Sequence, residues 1–213
     1  MKKVTSYIWP TTKRVLSKIN GTLDITWING KKVLDSKNAN YSYGSLQRLL
    51  EYGLSHIYFD LQAEVLVLGM GGGSVLHSLR KRFKHKGKIT AIELDPVVIQ
   101  IAKEEFEVKT LPNISIIQQD AFFYIDDTQE KYQLIIIDLF IDRKVPDTCY
   151  SPAFWEKLHN RLSLKGSILF NAGILVEDDT PVLKLIRETT DLFTFERYDE
   201  VQGTNLLLIA RKK

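Results

Sequence analysis

Residues 64–74 read Glu64-Val-Leu-Val-Leu-Gly69-Met-Gly71-Gly72-Gly73-Ser74. A short, continuously apolar strand runs into four glycines, and a helical pattern begins at once over residues 75–83. An unbroken apolar run suits a strand covered on both faces of a parallel sheet. Glycines at its end let the chain turn tightly and let a ligand approach bare backbone. The helix start behind them offers free N–H groups and a positive dipole end. A second strand, residues 88–92, ends at Glu93-Leu94-Asp95-Pro96. A carboxylate there, about twenty residues past the glycines, can accept hydrogen bonds from both hydroxyls of a ribose. The pairing predicts a nucleoside-bearing ligand held by Gly69, Gly71, Gly72, Gly73 and Glu93.

Downstream, strands expected at residues 114–118, 132–137 and 167–171 alternate with helices at 97–106, 152–162 and 181–192. Such alternation makes a parallel sheet with right-handed crossovers. The chain closes with two strands, 194–198 and 205–210, that no helix separates. A dehydrogenase normally has a helix between every pair of strands. The terminal hairpin, with Ser74 where a third dinucleotide-type glycine would sit, therefore points from NAD toward S-adenosylmethionine. The expected fold is α/β over residues 61–213: a doubly wound, mostly parallel seven-stranded sheet, class I methyltransferase-like, with an antiparallel C-terminal hairpin.

Residues 1–60 form an extension of different character. Residues 23–28 alternate apolar and polar, Asn29-Gly30 follows, and residues 31–34 continue the pattern. Asn-Gly between such runs marks a β-hairpin, because both turn residues must accept positive φ. Leu46, Leu49, Leu50 and Leu54 then recur at helical spacing. The segment is too small for its own core, so this short hairpin arm leans on the main domain or on another subunit. An arm exposing Ile25, Trp27 or Ile28 suits an assembly contact, and a homodimer is expected.

At 213 residues the chain holds one full α/β domain plus a small extension. A net charge of +3 favours no polyanionic partner. One cysteine, Cys149, excludes an internal disulfide and fits a reducing compartment. The N-terminus lacks the apolar stretch of a signal peptide, and no apolar run is long enough to cross a bilayer, so a cytoplasmic protein without a membrane partner is expected. The four histidines share no metal-ligand spacing, and no metal is expected. The basic run Arg80–Lys88 covers a helix end and a turn, where cations complement the dipole, so nucleic acid is not expected as a partner. Asp95 with Pro96 reads as the cap and first residue of the next helix.

Val-Leu-Gly-Met-Gly-Gly-Gly-Ser-Val-Leu, Ile-Glu-Leu-Asp-Pro, Gln-Asp-Ala-Phe and Ile-Ile-Ile-Asp arrive in order at successive strand ends. Together they resemble the spermidine synthases and their methyltransferase-fold relatives, over roughly residues 40–213. The resemblance implies that Glu93 binds the ribose, that Asp120 and Ala121 sit at the adenine, and that Asp138 stands at the catalytic carboxylate position. Tyr43 matches the tyrosine that precedes the pocket, and Asp142 is the second acid after Asp138. The chain also departs from the synthase pattern. Gly72 replaces an aspartate of the glycine loop, Gly44-Ser45 replaces Gln or His followed by Glu, and Asp142 lies four residues after Asp138 instead of three.

Aminopropyl transfer needs carboxylates to hold the far ammonium of its amine acceptor, besides a base at the attacking nitrogen. Methyl transfer asks chiefly for alignment of an already activated sulfonium. The missing acids therefore favour methyl transfer from S-adenosylmethionine to an unidentified small-molecule acceptor. Aminopropyl transfer from decarboxylated S-adenosylmethionine and a catalytically silent adenosyl-binding relative are the alternatives.

Overall fold

The structure, a computed structural model, describes residues 6–36, 40–141, 144–174 and 178–213. An N-terminal antiparallel sheet takes the order β1 (Thr11–Ser17), β2 (Gly21–Ile28), β3 (Lys31–Ser36) and β4 (Asn40–Ser42). Its β2–β3 turn is Asn29-Gly30 with φ of 49° and 73°. Both values are positive, as a two-residue hairpin turn demands. The expected hairpin is thus present, and β1 and β4 flank it. Helix α1 (Gly44–Ser55) follows.

The main sheet contains β5 (Val65–Leu68), β6 (Ile89–Glu93), β7 (Ile114–Gln118), β8 (Tyr132–Ile137), β9 (Leu162–Ile174), β10 (Phe193–Val201) and β11 (Asn205–Lys212). Their order is β10-β11-β9-β8-β5-β6-β7, with β5 to β9 parallel and the last two strands antiparallel. Connecting helices are α2 (Ser74–Lys81), α3 (Pro96–Glu105), α4 (Ala121–Asp127), α5 (Pro152–Arg161) and α6 (Thr180–Glu188). Helix α4 is absent from the sequence expectations. The last helix ends at Glu188, before the expected residue 192.

Why the central strands read as unbroken apolar runs is plain from their neighbours. Val65 and Val67 face a core built with Leu50 of α1, Leu76 of α2 and Ile99 of α3. Leu66 and Leu68 face the opposite core, with Ile125 of α4, Trp155 of α5 and Leu185 of α6. All four are completely buried, because each side-chain direction of a central parallel strand meets a helix layer. Helix α1, though within residues 1–60, belongs to the first of these cores.

The N-terminal sheet packs on α3. Leu23, Ile25 and Leu34 bury against Val98, Ile101 and Phe106. Helix α3 is apolar on two sides because it is sandwiched: Ile99 and Ala102 face the main sheet, Val98 and Ile101 the small one. Ile25, expected on an exposed arm, is only 2% exposed, since its face of the hairpin is the one that covers α3. Trp27 lies under the Lys32 ammonium at 5.1 Å, and Ile28 remains 40% exposed.

Two polar junctions fix this docking. Asp95 caps α3 through Val97 N (2.8 Å) and also accepts from Ser17 Oγ and from Asn20 Nδ2 (2.7 Å). Glu105 at the other end of α3 pairs with Lys13 (2.6 Å) and Lys32 (2.8 Å), and these two hydrogen-bonded lysines hold its carboxyl down at about 2. The Asp95 junction is buried and the Glu105 junction partly solvated, so the first carries more stability. Asp95→Ala should cost about 2–4 kcal/mol, and Glu105→Gln about 1 kcal/mol or less. Urea denaturation checks the ranking; equal losses at the two ends would contradict it.

Candidate functional site

The chain runs from β5 out to β7 and returns to β8 beside β5, which puts the topological switch point between β5 and β8. A cavity of about 490 Å³ opens there at the C-terminal strand ends. That is within the range of small-molecule sites, roughly 300–1,000 Å³.

One half of the cavity is built by the loops after β5, β6 and β7. Gly69, Gly71, Glu93, Asp120 and Ala121 all line it. Glu93 turns back onto the glycine loop: its Oε2 accepts from Gly71 N (3.0 Å) and its Oε1 from Asp95 N (3.0 Å). Burial raises the Glu93 carboxyl above the ordinary range, against the opposing pull of these N–H groups. Asp120 caps α4, with Oδ1 accepting from Phe122 N (2.8 Å) and Phe123 N (3.2 Å). Gly72 and Gly73 are not among the described residues that line the cavity. Gly73, at φ 85°, begins α2, and a Cβ there would meet Val108 Cγ2 at 2.5 Å.

The other half lies at the ends of β8, β9 and β11. Asp138 continues the β8 backbone, its N–H donating to Leu68 O (2.9 Å). Its carboxylate ends a one-way chain: Thr204 Oγ1 donates to Asn205 Oδ1 (2.8 Å), Asn205 Nδ2 to Asn171 Oδ1 (3.0 Å), and Asn171 Nδ2 to Asp138 Oδ1 (2.8 Å). Burial, with the Glu93 carboxylate nearby, pushes Asp138 up to about 6 although the Asn171 bond opposes this. A carboxylate with that value is ionised at neutral pH and can accept a proton.

Tyr43, matched by resemblance to the tyrosine before the pocket, is not among the described residues that line the cavity. Tyr43 stacks on Phe106 with ring centres 4.6 Å apart, near His77, and burial raises its phenol. It packs into the seam between the small sheet and α3 instead of facing the pocket. Asp142 lies outside the described residues. Unanticipated lining residues are Asn171, Asn205, Ile19, Asn20, Leu46 and Leu49. Of these, Leu46 and Leu49 showed in the sequence only as part of a helical spacing, and Asn171 only as a polar residue closing the apolar strand Ile168-Leu-Phe-Asn. The β1–β2 turn brings Ile19 and Asn20 to the wall because Asn20 is tied to Asp95.

Other candidates resolve into structural roles. Arg80 donates to the carbonyls of Pro112, His85, Gly87 and Asn113, and Arg82 pairs with Glu51, so part of the basic run is spent inside the molecule. Cys149 is buried and pushed up to about 12 by that burial. Among the described residues no cluster of three or more His, Cys, Asp or Glu could hold a metal ion. Among them, too, no helix is long and apolar enough to cross a membrane.

The two halves meet at Gly69. At φ +84°, a Cβ on this residue would lie 2.3 Å from Asp138 O. Gly203 has nearly the same φ, +82°, with nothing within 4 Å of its would-be Cβ, so it isolates the backbone cost alone. Gly203→Ala should destabilise by about 1 kcal/mol. Gly69→Ala should cost about 2 kcal/mol more and shift Asp138. Denaturation of both variants checks this; equal losses would mean the close approach carries no energy.

Residues 54–201 match the spermine/spermidine synthase domain. Polyamine aminopropyltransferase 2 of Aquifex aeolicus is 32% identical over 119 residues, which cover 52% of this chain and 24% of that protein. The eEF1A lysine and N-terminal methyltransferase of Xenopus laevis is 30% identical over 168 residues, covering 71% of this chain and 23% of that protein. This chain therefore spans about a quarter of the length of each of these curated relatives. Among solved structures, human Methyltransferase-like protein 13 in complex with SAH superposes with a TM-score of 0.67 at 19% identity, covering 80% of this chain and 83% of that one. The four strand-end motifs and the domain match agree: the chain belongs to the spermine/spermidine synthase domain family.

Proposed function

We propose that the protein binds S-adenosylmethionine in the β5–β7 half of the cavity and transfers its methyl group to a small acceptor in the β8–β11 half. The observation that carries this reading is Glu93. A buried carboxylate aligned beside bare glycine backbone, at the end of the strand next to β5, suits a ribose diol. The other residues present fit the same group. Gly69 and Gly71 keep side chains out of the wall, Ile92 and Leu94 offer apolar faces, and Asp120 with Ala121 lines the same cavity. The N-terminus of α2 behind the loop favours the donor's carboxylate, with Gly72 placing no acid there.

Bound S-adenosylmethionine would supply an already activated methyl group, and Asp138 would take the proton that the acceptor's nucleophilic atom gives up. The chain's own contribution is orientation and proton acceptance. Asn171, itself held by Asn205, donates to Asp138 and keeps it an acceptor, and the apolar wall excludes water. Aminopropyl transfer is the second reading, favoured by the Aquifex aeolicus relative's name; the Xenopus laevis relative's name favours methyl transfer.

Calorimetric titration with S-adenosylmethionine, S-adenosylhomocysteine, decarboxylated S-adenosylmethionine and methylthioadenosine separates the readings. The two carboxylate-bearing ligands should bind at least tenfold more tightly, and Glu93→Ala should weaken all four by roughly ten- to a hundredfold. Tighter binding of the decarboxylated donor, with putrescine converted to spermidine, would make this an aminopropyltransferase. The pH profile tests Asp138. Because its folded pKa is raised to about 6, it stays protonated and unable to act as base further up the acid range than an exposed aspartate. kcat should fall about tenfold per pH unit below that value. A kcat flat down to pH 5 would remove Asp138 from proton transfer.

A homodimer and a cytoplasmic setting remain part of this reading. Exposed Tyr7, Ile8 and Trp9 just before the small sheet and Leu16 on its β1 support the first, and a lone buried cysteine the second. A monomeric mass in light scattering would refute the dimer.

A further inference from the structure

We infer that the β8–β11 half of the cavity takes a monoamine carried on an apolar body, a single basic nitrogen on an aryl or alkyl chain. The inference rests on the methyl-transfer reading above and deepens it. It comes from the inventory of that half. Leu46 and Leu49 of α1, Leu139 and Phe140 after β8, and Ile174 at the end of β9 give it apolar walls. Among the described residues there, Asp138 is the only ionisable side chain; Ser45, Asn171, Thr204 and Asn205 are the neutral polar ones.

Each acceptor class meets this inventory differently. An anionic acceptor finds no lysine, arginine or histidine among the described lining residues to pair with. A neutral acceptor would leave the Asp138 carboxylate, buried beside Glu93, without a counter-charge. Among the described lining residues a diamine would find Asp138 for one ammonium and only apolar or neutral polar groups for the other, where a charge without a counter-charge is costly. A monoamine brings one positive charge to one carboxylate and apolar surface to the rest. The asparagine chain sharpens the match. Asn171 uses its amide N–H on Asp138 Oδ1 and its carbonyl on Asn205, so Oδ2 is the oxygen left to receive an amine N–H.

The test is calorimetry on the full chain with phenethylamine, phenethyl alcohol and putrescine, each with and without saturating S-adenosylhomocysteine. Phenethylamine should bind at least tenfold more tightly than either competitor, and Asp138→Asn should bring amine and alcohol level. Leu46→Asp, which adds an acid to the half-buried wall, should raise putrescine affinity at least tenfold and supplies a second variant should Asp138→Asn fold poorly. Putrescine binding as tightly as phenethylamine, or the alcohol matching the amine, in the unaltered protein would overturn the inference. Amine selectivity without any S-adenosylhomocysteine binding would count against the donor reading alone. S-adenosylhomocysteine binding with no preference among the three probes would count against this inference alone.

Discussion

The site depends on one close approach, the bare Cα of Gly69 against the backbone carbonyl of Asp138. Parallel strands β5 and β8 pair residue for residue up to Leu68 and Ile137, and both chains must then leave the sheet at the same level. A side chain on Gly69 would occupy the space that Asp138 O fills. Its absence lets the glycine loop and the strand carrying Asp138 leave side by side. The glycine loop and Asp138 are thereby neighbours without any motion of the fold. Close-packed interiors resist small displacements, so such a contact fixes position well.

Two carboxylates two residues apart, Glu93 and Asp95, extend that constraint outward. Glu93 bonds the glycine loop, and Asp95, two residues on, bonds the small sheet through Ser17 and Asn20. Asp95 N also donates to Glu93, so the two groups share one backbone turn. The N-terminal sheet is therefore tied to the cavity wall and does not hang free as an arm. Its β1–β2 turn, with Ile19 and Asn20, closes the side of the cavity next to Glu93 and Leu94.

The parallel core was legible because its physics is local. Val-Leu-Val-Leu and Leu-Ile-Ile-Ile are apolar at every position, and only a strand covered on both faces wants that. Asn29-Gly30 likewise announced its turn by needing positive φ twice. Strand β1, Thr-Thr-Lys-Arg-Val-Leu-Ser, carried little apolar pattern because it lies at the sheet edge with mostly exposed residues. Helix α4 has only seven residues and two adjacent phenylalanines, too short for a period to stand out. The placement of Tyr43 follows from which residues α3 presents to the small sheet, a tertiary fact. The roles of Asn171 and Asn205 depend on strands 34 residues apart being neighbours, with Leu207 of β11 opposite Asn171 of β9. Single residues told of Glu93 and Asp138; their supporting partners needed the sheet order.

The most direct test is a crystal structure of the protein with S-adenosylhomocysteine. The ribose hydroxyls should lie on the Glu93 carboxylate, the amino-acid end against the glycine loop and the thioether sulfur on the Asp138 side of the cavity. A ligand seated elsewhere, or one lying in the cavity with Glu93 still turned onto Gly71 and no contact to the ribose, would contradict this placement.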